Sequence, residues 1–398
     1  MNILFLFASL PHLSQDGGLF PSLIHEFVNH GHNVFASSRG KDLEKTEVVD
    51  EGGIKVLRIK CPEFTRVSNN VKKALAYQEY VLKQRYYVKK YWGKEKFDVI
   101  ISHSLPPELG YVVKGLKRHY NCKFYLEVPD YTWQDAVAYG YFQKNSPIGL
   151  YYRFWERLMF KQADYIGVPT KGNVSFIRSY YPWIEEKKFS VFPFWQKPID
   201  SNKDDSIRTE LGLQDKFIVI YGGSVGAAQR IEHIIELAES CRDFDDMVFL
   251  VLGRGAYLPV IKKMAEEKGL NNVVFKDFVP QEKYLQLLGS CDVGLIVLNE
   301  KMATPNFPSK SLSYFNLKVP VLGALDHVTD FGEMLVENNA GLWAFSDDIQ
   351  NLKAELMKYY HSAELRKTTA ENAYNLFMNT MTPEYAYSII INQINDRK

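Results

Sequence analysis

Short runs of β-branched and aromatic residues alternate along the chain with longer amphipathic stretches, the pattern of parallel sheets covered by helices. In the first half the spacing predicts strands at 3–7, 33–36, 55–59, 99–102, 123–127 and 165–168. A helix is expected after Gly17-Gly18, ending at His30-Gly31-His32, where glycine can take the left-handed conformation that stops a helix. One long helix is expected over 69–94. The second half repeats the pattern, with strands at 217–221, 247–252, 273–275, 293–297, 319–322 and 341–345. Between the halves, residues 194–205 lose apolar periodicity and turn polar and proline-containing, as a linker does.

Length agrees with two domains, because 398 residues exceed the roughly 250–300 at which one core splits. The expected division is an N-terminal Rossmann-like domain at 1–196, a C-terminal one at 207–380, and a helix at 381–398 that can cross back to the first domain. The fold class is therefore α/β, with two doubly wound sheets facing a central cleft. Charged residues make up 24% and the formal charge is +1, which gives no electrostatic case for nucleic acid as the partner. The four cysteines, Cys61, Cys122, Cys241 and Cys291, are scattered without zinc or disulfide spacing, which fits a reducing cytoplasm. The apolar start 1–8 has no basic leader or cleavage site and reads as a first strand. No apolar stretch reaches the ~18–20 residues that span a bilayer, so a soluble or peripheral protein is expected.

Ligands on doubly wound sheets bind beyond the carboxyl ends of the strands, so polar and glycine clusters there are the candidates. In the second half these are Gly222-Gly223-Ser224-Val225-Gly226, leading to a helix with Arg230, and then Gly253-Arg254-Gly255. Further on, Asn306-Phe307-Pro308-Ser309-Lys310 reads as a loop entering a helix, with Ser309 near the cap and Lys310 in the first turn. Free amides, serine and lysine at a helix start suit a phosphate. In the first half the clusters are Asp16-Gly17-Gly18, Ser102-His103-Ser104 and the stretch from Glu127 through Asp130 to Trp133. His103 or Asp130 could act as a base or a hydroxyl binder. Structural readings stay open throughout: tight turns need glycine, helix starts need caps, and loop histidines often only hold backbone. No metal site is expected. Asp243-Phe244-Asp245 has a metal-like spacing but precedes a strand, on the wrong edge of its sheet.

Two aromatic regions remain. Residues 72–96 interleave Lys72, Lys73, Lys83, Lys89 and Lys90 with tyrosines, which suits an anionic membrane surface, or else a solvated helix with its tyrosines inward. The region 139–160, with Tyr151, Tyr152, Phe154 and Trp155, reads as core.

Taken in order, these features resemble the family 4 retaining glycosyltransferases of GT-B fold, over nearly the whole chain. The resemblance is greatest to the branch that builds bacterial O-antigen and capsule repeats, including fucosamine transferases. The residues that carry it are Gly17-Gly18 with Gly31-His32-Asn33-Val34, Leu126-Glu127-Val128-Pro129-Asp130 with 136–140, Phe192-Pro193-Phe194-Trp195, Tyr221 to Gly226, and Pro308-Ser309-Lys310. The resemblance implies a nucleotide-sugar donor, UDP-sugar before GDP-sugar, held by Gly223, Ser224, Arg230, Arg254, Ser309, Lys310 and Ser313, with the base near Phe278 and Val279. It implies a glycan or polyprenyl-diphosphate-linked acceptor held by Gly17, Gly18, His103, Ser104, Asp130 and Trp133, with Asp130, Arg230 and Lys310 at the reaction centre. Transfer would proceed with retention, without metal or cofactor, in the cytoplasm and peripheral to the inner membrane face. The sequence departs from the family at Pro305 and Ser313, where glutamates are usual, and at Gln229 and Pro129, where a lysine and an arginine are common. The competing readings are a UDP-sugar 2-epimerase and a non-catalytic nucleotide-sugar binder.

Overall fold

The computed structural model describes residues 1–14, 18–41, 43–62, 70–199, 206–226, 229–276 and 280–396. It divides into one unit of Met1–Phe194 with Pro383–Lys398 and a second of Trp195–Thr382. In chain order the first unit contains β1 (Asn2–Leu6), α1 (Leu19–Asn29), β2 (Asn33–Arg39), β3 (Glu47–Asp50), β4 (Lys55–Ile59), α2 (Asn70–Trp92), β5 (Val99–His103) and α3 (Leu109–Tyr120). It continues with β6 (Lys123–Glu127), α4 (Thr132–Ala138), α5 (Pro147–Gln162), β7 (Tyr165–Val168), α6 (Lys171–Tyr180) and β8 (Phe189–Val191). The strands lie in the order β3-β4-β2-β1-β5-β6-β7-β8, parallel except for β3, which runs antiparallel to β4.

β1, β5 and β6 are almost wholly buried, as expected of parallel strands covered on both faces, and this is why they read as continuous apolar runs. β3 and β8 escape that reading because both are half-exposed edge strands. α1 ends where Gly31 takes φ 76°, in the left-handed region. α2 buries Ala76, Tyr80, Gln84, Val88 and Trp92 and turns Leu75, Leu82 and Tyr86 outward. The region 139–160 joins the core only at its end, through Met159 and Phe160. Tyr141 is 77% exposed and Phe154 61%, because α5 packs against α3 along one side only.

The loop after β1 is held by a buried ion pair. Arg58 reaches Glu51 with two 2.7 Å contacts and donates to the Leu10 and Pro11 carbonyls, while Glu51 accepts from the Leu13 amide. Burial would raise the Glu51 pKa, but these bonds and the Arg58 charge overcome it and lower it.

The second unit contains α7 (Ser206–Glu210), β9 (Phe217–Ser224), α8 (Glu232–Ser240), β10 (Met247–Arg254), α9 (Leu258–Glu267), β11 (Val273–Lys276), α10 (Gln281–Gly289) and β12 (Val293–Val297). There follow α11 (Lys310–Asn316), β13 (Val321–Leu325), α12 (Phe331–Glu337), β14 (Gly341–Phe345), α13 (Ile349–His361) and α14 (Ala363–Thr380). The order β11-β10-β9-β12-β13-β14 is all parallel and is the doubly wound dinucleotide-fold order. Residues 196–199 are stitched to this unit through the Met381 carbonyl and the Asn316 side chain.

After Thr382 the chain returns to the first unit as α15 (Pro383–Asn395), packed on α1. Its Tyr387 stacks on His30 at 4.0 Å and shares a 2.9 Å hydrogen bond with His32.

Candidate functional site

In the first unit the strand order reverses between β1 and β5, and loops leave both carboxyl ends there. A cavity of about 290 Å³ opens at this point, lined by Ala8 and Ser9 after β1, His103 and Ser104 at the end of β5, and Asp130 and Trp133 after β6. It thus gathers four of the residues expected to hold an acceptor. Gly18 is the residue before α1, with φ 102°, and is not part of the lining. Gly17, Asp16, Phe278, Val279 and Asp277 fall outside the described residues.

His103 is packed between Phe7 and Phe20, with ring centroids 5.2 and 5.3 Å away. Its Nδ1 accepts the Leu105 amide at 3.0 Å, so the neutral ring must carry its proton on Nε2. Burial pushes its pKa down to about 4. His103 is therefore a donor near neutral pH and a poor proton acceptor, which removes one of the two base candidates. Asp130 is solvent-accessible at the rim, yet the protein crowding it raises its pKa. Glu127, buried at the end of β6, is raised well above the carboxylate range by burial and by Asp130.

Sequence reasoning missed other lining residues: Lys73 and Tyr77 on α2, Glu108 before α3, and Tyr152 and Glu156 on α5. Lys73 and Tyr77 lie in a stretch that reads as a membrane surface or as a solvated helix with its tyrosines inward, and not as a site. Glu108 precedes α3 and Glu156 lies on α5, and the packing of these two helices is a tertiary event signalled locally by nothing.

In the second unit the order reverses between β9 and β12. β9 runs through Gly222 and Gly223 to Ser224, three residues further than the sequence pattern suggests, and β10 runs through Arg254, which is paired in register with Ser224. Gly253 and Gly255 answer to the chain itself: a Cβ on either would lie 1.9 Å from a carbonyl oxygen, of Gly223 or Val225. Gly223, at φ 142°, lies under Lys310, whose Nζ sits 4.9 Å from the Tyr221 ring centroid. No carboxylate pairs with Lys310 among the described residues, and burial lowers its pKa.

Lys310 opens α11, but Ser309 before it makes no side-chain cap bond, so the expected serine cap is corrected. Ser309 is exposed, and Ser313 Oγ faces Gln196 Oε1 at 3.4 Å. The loop ahead of Lys310 is pinned by Thr329, which donates to the Asn306 carbonyl at 2.7 Å, and by Phe307 against Phe331. Arg230 is not inside a helix; it precedes α8 with φ 49° and is ion-paired to Glu300. His233 also contacts Glu300, at 3.1 Å. Burial would raise Glu300, but His233 and Arg230 outweigh it and lower the pKa. Asp243 and Asp245 lie in the loop entering β10, at the opposite edge of the sheet from Gly223.

Residues 203–376 match the family model of glycosyl transferases group 1. The second unit is thus similar to glycosyl transferases group 1 over most of its length. The chain is 29% identical over 131 residues to WcaI of Escherichia coli strain K12, named as a colanic acid biosynthesis glycosyl transferase. That match covers 33% of this chain and 32% of WcaI. It is 25% identical over 259 residues to the glycosyltransferase WbjE of Pseudomonas aeruginosa, covering 61% of each. The chain thus spans about a third and about three fifths of these relatives' own lengths. The Anabaena protein HepE, solved in complex with UDP-glucose, superposes with a TM-score of 0.69 at 16% identity, covering 98% of this chain and 99% of HepE. With such a neighbour over nearly its whole length, and with two doubly wound units in succession, the chain has the GT-B fold.

Proposed function

We propose that the chain transfers a sugar from a nucleoside-diphosphate sugar to a glycan acceptor in bacterial surface polysaccharide synthesis. The observation that carries this reading is Lys310 lying over Gly223 at the β9 end of a unit similar to group 1 transferases, with no carboxylate to neutralise it among the described residues. Support for the setting comes from WcaI, named for colanic acid biosynthesis, and support for a UDP-sugar from the UDP-glucose complex of HepE.

Cleaving the bond between the anomeric carbon and the diphosphate leaves negative charge on the phosphate, and a fixed cation there lowers the barrier. Lys310 fills that role, with Arg254 beside Ser224 at the end of neighbouring β10. Arg230 contributes only once Glu300 yields it. Because Lys310 can replace a divalent ion, transfer proceeds without metal. The acceptor oxygen attacks the face the diphosphate leaves, and the departing phosphate oxygen takes its proton, which retains the anomeric configuration. His103, as a donor, and Asp130 then orient the acceptor. The acceptor is lipid-linked, and α2 holds the cytoplasmic enzyme at the inner membrane face.

The test is incubation with a panel of UDP- and GDP-sugars and a bacterial lipid-linked glycan extract, with EDTA present. Release of UDP that requires the extract, with a sugar added to the glycan, is expected. Conversion of the donor sugar without acceptor, or no turnover with any donor, would refute the reading. Loss of activity in EDTA, restored by magnesium, would refute metal independence.

A further inference from the structure

The cavity at the β1/β5 switch point lies at the lower end of the ~300–1,000 Å³ range of small-molecule sites, room for about one ring. Its lining is of two kinds. Tyr77, Trp133 and Tyr152 offer aromatic surface, while Ser104, Glu108, Asp130 and Glu156 offer oxygen. Two of these groups are buried with hydrogen-bonding capacity unused. Ser104 is 9% exposed, and its Oγ has no partner among the described residues. Glu108 is 1% exposed; one carboxyl oxygen accepts the Tyr151 hydroxyl at 2.7 Å, and the other has no such partner. Buried polar atoms are almost always paired, so their convergence on a cavity points to a ligand that completes them.

The ligand's chemistry follows. It must present hydroxyls, because a carboxyl can pair with a hydroxyl in either protonation state, and a serine can too. It must present a C–H face to the aromatic rings. It must not be an anion, because three carboxyls line the cavity against the single cation of Lys73, and the burial that raises the pKa of all three penalises any further negative charge there. We infer that this cavity seats the terminal sugar of the acceptor as an uncharged ring, that Ser104 and Glu108 read its hydroxyls, and that uronic acids and sugar phosphates are excluded. This rests on the glycan-acceptor reading above.

The test titrates the full chain with methyl glycosides of glucose, galactose and N-acetylglucosamine, methyl glucuronide and glucose 6-phosphate, read by saturation-transfer NMR. At least one neutral glycoside should saturate, with the glucuronide and the phosphate roughly tenfold weaker or more. Ser104→Ala and Glu108→Gln should each weaken the neutral glycoside by about tenfold at unchanged melting temperature. Equal binding of the glucuronide, no binding of any neutral glycoside, or indifference to both substitutions would overturn the inference. UDP binding measured on the same samples separates the two readings: its absence would count against the donor site and leave the glycoside result standing.

Discussion

The proton on the Leu105 amide decides what His103 can do. Because Nδ1 must accept it, the ring offers Nε2–H alone, and a residue legible in the sequence as a possible base has only a donor to present. Its pKa of about 4 lies below the ordinary 6.5, so the folded state favours the neutral ring. The unfolded chain takes up a proton first as pH falls, so this stabilisation is complete above about pH 6.5 and is lost toward pH 4. Melting followed from pH 7 to pH 4.5 should therefore show a smaller acid-induced fall for His103→Phe than for the wild type. Equal falls would refute the assignment. At Gly223 the constraint is steric: a Cβ would stand 2.4 Å from Lys310 Cε, on backbone at φ 142°. Gly223→Ala should cost ~1–3 kcal/mol in chemical denaturation and displace the ammonium, weakening UDP binding as Lys310→Met does. An Ala variant with wild-type affinity would detach Lys310 from the site.

Elements were legible where burial is symmetric. Parallel strands covered on both faces wrote themselves as apolar runs, and their ends pointed to His103, Ser104, Asp130, Gly223 and Arg254. Half-buried edges such as β3 left no such run, and β9 outlasted its apolar pattern because Gly222 and Gly223 remain in the ladder. The Arg230–Glu300 pair spans 70 positions, and no local pattern announces it. For the last helix, periodicity gave a helix but not the neighbour it covers. α15 packs on α1, and its Ile390 is fully buried. Ile390→Ala should destabilise the first unit by ~2–5 kcal/mol, lowering the unfolding transition of that unit and not of the second. Differential scanning calorimetry with probes in each unit checks this; a uniform shift of both would contradict it.

For the molecule as a whole, a formal charge of +1 conceals an uneven surface. Among the described residues no helix is long and apolar enough to cross a membrane. The outward stripe of α2 nevertheless shows Leu82 55% and Tyr86 60% exposed, beside exposed Lys72 and Lys90. Apolar and basic groups together suit adsorption to an anionic surface. Sedimentation with phosphatidylglycerol vesicles should be strong at low salt, fall at about 0.5 M salt, and weaken in Leu82→Glu/Tyr86→Glu. Binding indifferent to lipid charge would contradict that role.

The proposed function requires Lys310 to be the cation that meets a nucleoside diphosphate at the end of β9. Calorimetric titration of UDP into the wild type and Lys310→Met tests this most directly. Saturable binding by the wild type is expected, with a loss of about tenfold or more in the variant and melting temperatures alike in the two. UDP bound equally well by both proteins, or by neither, would contradict it.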